Sequence, residues 1–523
     1  MPTLQSKQIW TVALVALILG LLFDYLFWGK VGLGINFFVY TALLLSGFFV
    51  LSNWLKLAFN KELLWYIVPI LFFSAMLAVR DSMFLSFWNF VLTLGLLLVF
   101  AHHNTGKSIK DYAIFDLFKT AIALPLKFLA ASFRSLGELL AIRKIVKENQ
   151  KAEQIVKGII ITIPILVLFV VLLSSADLVF GRLISNIFNF KLNLDSLARP
   201  WWIFVFFFIW LGVYSYILQN LKQSSDIAID KISNYQFGKI EAGILFGVLN
   251  LVFLVFVIIQ LKYLFAGESA ITNLGFTYAE YARKGFFELI TAAVFSLLMV
   301  FGVEKYVQKG EGRHLNTFKF LSTGLIALVL VMMVSAFLRL SLYEGAYGFT
   351  VMRFMSQAFI VWLALIFLLL LYKIFSFSKE NEFLFWTFMS VLVFFAGLNL
   401  TNPEALIARK NIEKFAKGNK LDTHYLSTLS ADAVPEIVKL LDRPGLKSKT
   451  GVDLTFEIAD ILKFKRNSLH PDYDSAKQIP WQSFNFSRDR AIELINQNWQ
   501  RIESLSKQFE QQKQYEIQKK IQD

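Results

Sequence analysis

The feature that most constrains this chain is a series of apolar runs, each close to the length of a membrane-spanning helix. A helix rises about 1.5 Å per residue, so about 20 apolar residues cross a hydrocarbon core of roughly 30 Å. Eleven such runs occur, at about 9–28, 33–53, 63–79, 83–101, 157–176, 200–219, 242–264, 286–303, 319–338, 355–374 and 382–400. They predict an all-α polytopic membrane protein with about eleven transmembrane helices.

Composition agrees with this class and excludes several kinds of site. The chain is 56% hydrophobic and only 17% charged, against about 45–50% apolar residues in soluble domains. It contains no cysteine, which excludes disulfides, thiolate metal sites and a cysteine nucleophile. Its five histidines show no metal-ligand spacing, so we expect neither a metal nor another cofactor. The net charge of +14 comes without a nucleic-acid-binding module, and anionic lipid head groups are the expected partner.

The polar segments divide the chain into four parts. Residues 1–101 hold four transmembrane helices, 157–401 hold seven more, and 402–523 form a polar helical C-terminal region, here called the tail. Residues 102–156 are strongly basic and predict amphipathic helices on the cytoplasmic membrane surface. We expect Pro125 to break or kink this segment, giving two helices. The alternative is a charged twelfth span over 113–133, at a cost of about 2.5–3.5 kcal/mol for each central charge.

Basic residues in the loops predict the orientation of the chain. The loops on the side of the amino terminus carry more Lys and Arg than the opposite loops. Basic loops remain in the cytoplasm, so the amino terminus is predicted to be cytoplasmic. An odd number of spans then places the tail outside the cell.

Two further patterns predict helix packing. Gly243 and Gly247 form a G-x-x-x-G motif, and Asn250 lies on the same helical face, which predicts that this face contacts another helix. For Asn250 we favour a packing role over a functional one. In the tail, Asn402-Pro403 predicts a helix start. An apolar stripe in the tail predicts one long helix from about Arg488 that uses this face for packing or, as the alternative, for binding a partner. Its residues are Ile492, Ile495, Trp499, Ile502, Leu505 and Phe509.

Polar residues near the span ends supply the candidate site. The predicted orientation places these residues on the outer face: Arg80, Asp81, Asp177, Tyr278, Glu280, Arg283, Arg339, Tyr343, Glu344, Tyr347 and Arg353. Charged groups at this depth face protein or a water-filled cavity. We therefore predict an outward-facing ligand pocket, in which the arginines bind an anionic group and the tyrosines an apolar or sugar-like one. The alternative is that the arginines and tyrosines between 339 and 353 are ordinary anchors at the membrane boundary.

Four motifs resemble a known membrane family. They are Leu261–Phe265, Thr277–Glu288, Arg339–Thr350 and Asn402–Arg409. Together they resemble a bacterial family known as domain of unknown function four-one-seven-three, whose sister family is four-one-five-three. The resemblance runs from about the fifth span to about residue 440. It implies a bacterial multi-pass inner-membrane protein, and it implies no activity and no catalytic residue.

Three functional hypotheses follow from these patterns. The preferred one is a transporter-like or ligand-binding membrane protein. The second is a non-catalytic scaffold or sensor whose tail recruits a protein partner. The third is a membrane-embedded transferase that acts on lipid-linked substrates through an outward-facing acid such as Asp81, Asp177 or Glu344. The third has the least support, because no metal-binding acidic pair and no nucleophile–base spacing accompanies it, and we do not expect an enzyme.

Overall fold

The structure is a computed structural model that describes most of the chain. The described residues are 6–30, 32–56, 64–103, 114–139, 194–220, 239–265, 286–306, 313–376, 380–418, 420–443, 453–469 and 480–522. Among these residues, eleven helices precede the tail: α1 (Ser6–Phe27), α2 (Ile35–Trp54), α3 (Leu64–Val79), α4 (Met83–His103), α5 (Ile114–Leu139), α6 (Leu194–Asn220), α7 (Lys239–Phe265), α8 (Phe286–Tyr306), α9 (Arg313–Tyr347), α10 (Val351–Ser376) and α11 (Glu380–Thr401).

Most of these helices have the length and composition of membrane spans. Seven are long and apolar enough to cross a bilayer, namely α1, α2, α4, α6, α9, α10 and α11, and shorter apolar stretches occupy α3, α7 and α8. Large apolar side chains are exposed on their outer surfaces, such as Trp65, Met83 and Phe320, as expected where lipid is the solvent. The described residues contain helices and no strand. The predicted fold class, an all-α polytopic membrane protein, is confirmed. The predicted fifth span, 157–176, lies outside the described residues.

The apolar helices pack into two lobes that share α11. The first lobe has a core built from α1 to α6, with α11 contributing Leu392 and Leu398. The second has a core built from α7 to α10, with Phe383 and Leu384 from the start of α11. The first turn of α11 therefore packs in the second lobe and its later turns pack in the first lobe, so this helix joins the two cores.

The tail lies at one end of this bundle, here called the tail end. The amide of Ile35, at the start of α2, donates to the carbonyl oxygen of Phe484 in the tail at 2.9 Å. The amide of Ser82, before α4, and that of Val351, which begins α10, donate to other tail side chains. The turns α1–α2, α3–α4 and α9–α10 therefore share the tail end. Arg199 near the start of α6 binds Asp24 near the end of α1, so α6 also begins at the tail end. Because α4 begins at the tail end, it ends at the opposite end of the bundle.

The basic segment contradicts one prediction. α5 is a single helix through Pro125, so the predicted break into two helices is wrong. Close packing against α6 accompanies this continuity: a Cβ added to Gly212 would lie only 2.3 Å from the carbonyl oxygen of Phe128. The rings of Phe133 and Phe208 also meet, with centroids 4.9 Å apart. Neighbouring helices can stabilise a proline-containing helix that its own hydrogen bonds would not.

The predicted packing face of α7 is half right. Asn250 donates to the carbonyl oxygen of Leu321 in α9 at 2.9 Å, which confirms its packing role. Gly243 and Gly247 do not share this interface, because a Cβ added at either position would meet nothing within 4 Å among the described residues. No described helix contacts the G-x-x-x-G motif, so the contact predicted for its glycines stays a prediction. The contact face contains Ala242 and Phe246 instead, both of which are buried.

The tail is a compact group of helices with a core of its own. Its helices are α12 (Pro403–Ala416), α13 (Thr423–Thr428), α14 (Val434–Val438), α15 (Thr455–Leu469), α16 (Phe486–Gln497) and α17 (Trp499–Gln522). Asn402 caps α12 by accepting the amide of Ala405, with Pro403 in the first helical position, which confirms the predicted start. Ile495 and Ile502 of the apolar stripe are fully buried in the core. The stripe lies on two helices that meet at Asn498, and the prediction of one long helix is wrong.

Candidate functional site

Polar residues at the tail end form two groups, and the first surrounds the α3–α4 turn. The carboxylate of Asp432, a fully buried tail side chain, accepts the amides of Asp81 and Ser82, each at 2.9 Å. These amides precede the first turn of α4, where the helix leaves N–H groups without internal partners and carries a partial positive charge. A tail side chain therefore caps a membrane-spanning helix from which it is separated by about 350 residues.

The two charged residues of this turn also bind the tail. Arg80 lies 3.7 Å from the carboxylate of Asp432 and donates from its Nε to the carbonyl oxygen of Asn399 in α11. Asp81 forms an ion pair with Arg488. Both residues were predicted to line a ligand pocket. Their described contacts go to other parts of the same chain, so the geometry favours a role in docking the tail.

The second group is centred on the short α9–α10 turn, which the tail holds in place. Gly348 adopts φ +84°, a conformation that favours glycine. The side chain of Asn411 in α12 brackets Phe349, accepting its amide and donating to its carbonyl oxygen, each at 2.8 Å. Lys414 of the same helix donates to the carbonyl oxygens of Glu344 and Gly345. These contacts satisfy the last carbonyls of α9 and fix the turn relative to the tail.

Glu344 is the buried acid of this second group. It is only 3% exposed, and its Oε2 accepts a hydrogen bond from Nε2 of Gln357 at 2.8 Å. Gln357 also reaches the hydroxyl of Ser341 on α9. The other carboxylate oxygen, Oε1, is buried and has no hydrogen-bond partner among the described residues. An unsatisfied buried carboxylate oxygen is costly, which makes this position a candidate for contact with a ligand.

Cations outnumber acids around Glu344. Arg353 stacks over the ring of Tyr343, 4.0 Å from its centroid, and donates from Nη1 to the carbonyl oxygen of Gly348 at 2.6 Å. Its remaining side-chain N–H groups have no hydrogen-bond partner among the residues that the structure describes. Lys410 lies over the ring of Phe349 at 4.9 Å. With Lys414, these residues form a cluster of three cations, and Arg353 keeps donors that can bind an anion.

The pKa of Lys414 is lowered, mainly by burial and also by the neighbouring positive charge. Burial lowers the pKa of Lys414, the nearby Arg353 guanidinium lowers it further, and the Glu344 carboxylate acts in the opposite direction. Repulsion between neighbouring cations falls when an anion joins them. The arrangement is therefore suited to an anionic group held between Arg353 and the tail.

The structure brings together part of the predicted site. Arg339, Tyr343, Glu344, Tyr347 and Arg353 all lie at the end of α9 or the start of α10. Arg339 is buried and Tyr347 is largely exposed, with its ring 5.0 Å from that of Tyr343. The tail contacts both polar groups of the tail end, through Asp432 at the α3–α4 turn and Lys414 at the α9–α10 turn. The other predicted residues, Asp177, Tyr278, Glu280 and Arg283, lie outside the described residues.

Sequence reasoning missed two ion pairs that lie within the bundle. Near the end opposite the tail, Lys373 of α10 binds Glu304 of α8, and both are almost completely buried. Near the tail end, Arg199 forms a bidentate pair with Asp24, which is buried in α1. The available signal was a charged residue within an apolar run, because such a residue in a membrane normally faces a partner. The identity of the partner was not readable from the sequence.

Fold and site together define a class: an integral membrane protein with a two-lobed helical bundle and a helical tail docked on one end. The chain belongs to the family described as Domain of unknown function (DUF4153), whose model matches residues 67–440. The sequence motifs pointed first to family four-one-seven-three, and the match corrects this to its sister family. No curated protein and no solved structure matches the chain.

Proposed function

We propose that this protein binds an anionic ligand at the α9–α10 turn, between the second lobe and the tail. The observation that carries the proposal is the unequal charge of the site: among the described residues, Arg353, Lys410 and Lys414 lie around one buried acid, Glu344. Arg353 supplies donors for a phosphate or carboxylate, since only Nη1 of its guanidinium has a hydrogen-bond partner among the described residues. Tyr343 and Tyr347 supply an aromatic surface for an apolar or sugar-like part of the same ligand.

The location of the site fits a ligand that is either free or part of a lipid. The turn lies at the end of two apolar helices, Asn316–Gly345 and Val351–Ser376, where a bilayer gives way to water. A lipid head group and a free phosphate offer Arg353 the same chemistry. We further propose a bacterial inner-membrane location, which the family resemblance implies. The basic loops favour a cytoplasmic amino terminus, and this orientation would put the site outside the cytoplasm.

The proposal is tested by binding measurements on full-length protein in nanodiscs. One arm titrates inorganic phosphate into phosphatidylcholine nanodiscs, and the other measures retention of phosphatidylglycerol by native mass spectrometry. Arg353→Gln should lower the affinity for the true ligand, phosphate or phosphatidylglycerol, by roughly 10- to 100-fold, since hydrogen bonds to charged groups contribute about 1.5–3 kcal/mol. Arg490→Gln is the matched control, because Arg490 is an exposed tail arginine paired with Glu493. Equal binding by wild type and Arg353→Gln in both arms would refute the proposal.

The scaffold hypothesis has less support than ligand binding. Its partner was expected to bind the apolar stripe of the tail, and four of the six stripe residues pack in or against the tail core, namely Ile495, Trp499, Ile502 and Leu505. A transport role would require the site to open to both sides of the membrane. Ligand binding is the first step of transport and is the part that the described contacts support.

A further inference from the structure

The segment from Pro480 to Ser487 has an inverted pattern of burial. Its polar side chains are buried, with exposed fractions of 7% or less, whereas its aromatic side chains are 40–57% exposed. The buried residues are Gln482, Ser483, Asn485 and Ser487, and the exposed ones are Trp481, Phe484 and Phe486. A segment surrounded by water shows the opposite arrangement, because polar groups remain hydrated and large apolar groups are covered.

The buried polar groups of this segment bind the ends of membrane helices. Asn485 donates from Nδ2 to the carbonyl oxygens of Leu77 and Arg80 at 3.0 Å each, and the hydroxyl oxygen of Ser487 lies 2.8 Å from that of Val79. These carbonyls belong to the last turn of α3 and the residue that follows it, where a helix leaves its carbonyls without internal partners. The polar side of the segment therefore faces the bundle, and the three aromatic side chains project from the other side.

Geometry places the ring of Trp481 at the depth of the membrane boundary. The ring of Trp481 lies 6.5 Å from that of Tyr25, an exposed residue near the end of the apolar stretch Gln8–Phe27. Tyr25 is about eight residues from the middle of that stretch, or about 11 Å along the helix axis. Half of a typical hydrocarbon core is about 15 Å. Trp481 thus continues the lipid-facing surface of α1 at the level where aromatic residues concentrate in membrane proteins.

We infer that Trp481, Phe484 and Phe486 insert into the interfacial layer of the same bilayer that the bundle spans. The partner of this surface is lipid at head-group depth. The segment is then a two-sided anchor, with polar groups that cap α3 and aromatic groups that enter the membrane. It holds the tail against the bilayer beside the α3–α4 turn. This inference is independent of the anion site, because it concerns the first lobe and uses none of the same residues.

The absence of cysteine from the chain allows a direct test with single spin labels. Full-length Trp481→Cys and Phe486→Cys variants each carry one nitroxide and are placed in phosphatidylcholine–phosphatidylglycerol nanodiscs. The collision rates of the nitroxide with oxygen and with a water-soluble nickel chelate are then compared. Leu17→Cys, exposed in the middle of α1, is the lipid reference, and Gln500→Cys, exposed on α17, is the water reference. We expect both test positions to collide with the nickel chelate several-fold less than position 500 and more than position 17.

Two results would overturn the inference. Nickel collision rates at both positions equal to the rate at position 500 would mean that the rings face water. Low collision rates with both reagents would mean that protein, such as a second copy of the chain, covers the rings. If Trp481→Cys does not fold, the test rests on Phe486→Cys, whose side chain is the more exposed of the two. Monodispersity and the thermal midpoint of each variant show whether the fold is intact.

Discussion

Replacement of Asp432 by Asn should release the tail from the α3–α4 turn. Oδ2 of Asp432 accepts the amides of Asp81 and Ser82, and Oδ1 accepts from Ser487 and faces Arg80. Asn preserves the shape but removes the charge and places an NH₂ group where one carboxylate oxygen lay. Hydrogen bonds to charged groups contribute about 1.5–3 kcal/mol, and loss of one partner of a buried ion pair costs about 3–5 kcal/mol. These contributions overlap, so we expect a loss of about 3 kcal/mol in docking free energy.

Hydrogen exchange measures this change at the amides concerned. A loss of about 3 kcal/mol corresponds to roughly 100-fold faster exchange, because each 1.4 kcal/mol is a factor of about ten. The measurement follows the peptide that contains the Asp81 and Ser82 amides, by mass spectrometry of the full-length protein in nanodiscs. Asp442→Asn is the matched control, since Asp442 is an exposed tail aspartate paired with Arg501 and should contribute less than about 1 kcal/mol.

The outcome of this comparison can contradict the docking role. If exchange at the α3–α4 turn is the same in Asp432→Asn and in wild type, the tail does not protect those amides. If Asp432→Asn and Asp442→Asn accelerate exchange equally, the effect is a general loosening of the tail. Only a large change confined to Asp432→Asn agrees with a carboxylate that caps α4 from the tail.

Three further predictions concern the bundle and the tail. Gly212→Ala should lower the thermal midpoint in detergent, since its Cβ would lie 2.3 Å from a backbone oxygen of α5 and overpacking costs about 1–3 kcal/mol. Gly243→Ala, whose Cβ would meet nothing within 4 Å among the described residues, should leave the midpoint unchanged, and equal midpoints of the two variants would contradict the close packing. Glu304→Gln or Lys373→Met alone should destabilise the protein by about 3–5 kcal/mol, while the double variant should recover much of that loss; additive effects in the same thermal assay would exclude the ion pair. For Glu436, burial acts to raise the pKa, but hydrogen bonds from two basic neighbours outweigh it and the pKa lies below its ordinary value. Its contribution to tail stability is therefore present above about pH 4.3 and lost as the pH falls through the lowered pKa. In Glu436→Gln, tail stability measured by proteolysis should therefore depend less on pH in the acid range.

Some residues of the candidate site could be identified from the sequence, but their partners could not. The polar residues between Arg339 and Arg353 were identifiable because charged groups beside apolar runs are rare and costly. The role of Arg80 and Asp81 was not, since their partners Asp432 and Arg488 are more than 300 residues away in the chain. A pattern of residue types carries no information about which distant side chain satisfies a charge.

Predictions for single residues in the helices differ in the same way: those that depend on local structure were correct, and those that depend on helix packing were less reliable. Asn250 was correctly assigned to packing because an amide in hydrocarbon requires a partner, and Asn402-Pro403 was correctly assigned to a helix start because capping is local. The glycines of the G-x-x-x-G motif meet no described helix, since small size permits close approach but does not cause it. The continuity of α5 through Pro125 was missed for a related reason: packing against α6 accompanies a helix that local preference disfavours.

The sequence by itself determined the membrane class, the place of most of the described apolar helices, and the polar tail. These properties depend on the transfer of apolar residues from water to lipid and on helix periodicity, both of which act over about 20 neighbouring residues. Only the tertiary structure decided that the tail docks on three turns of the bundle, that Asp432 caps α4, and that Trp481 lies beside Tyr25. Those contacts depend on which surfaces meet in space, and residues distant in the chain become neighbours only after the helices have packed.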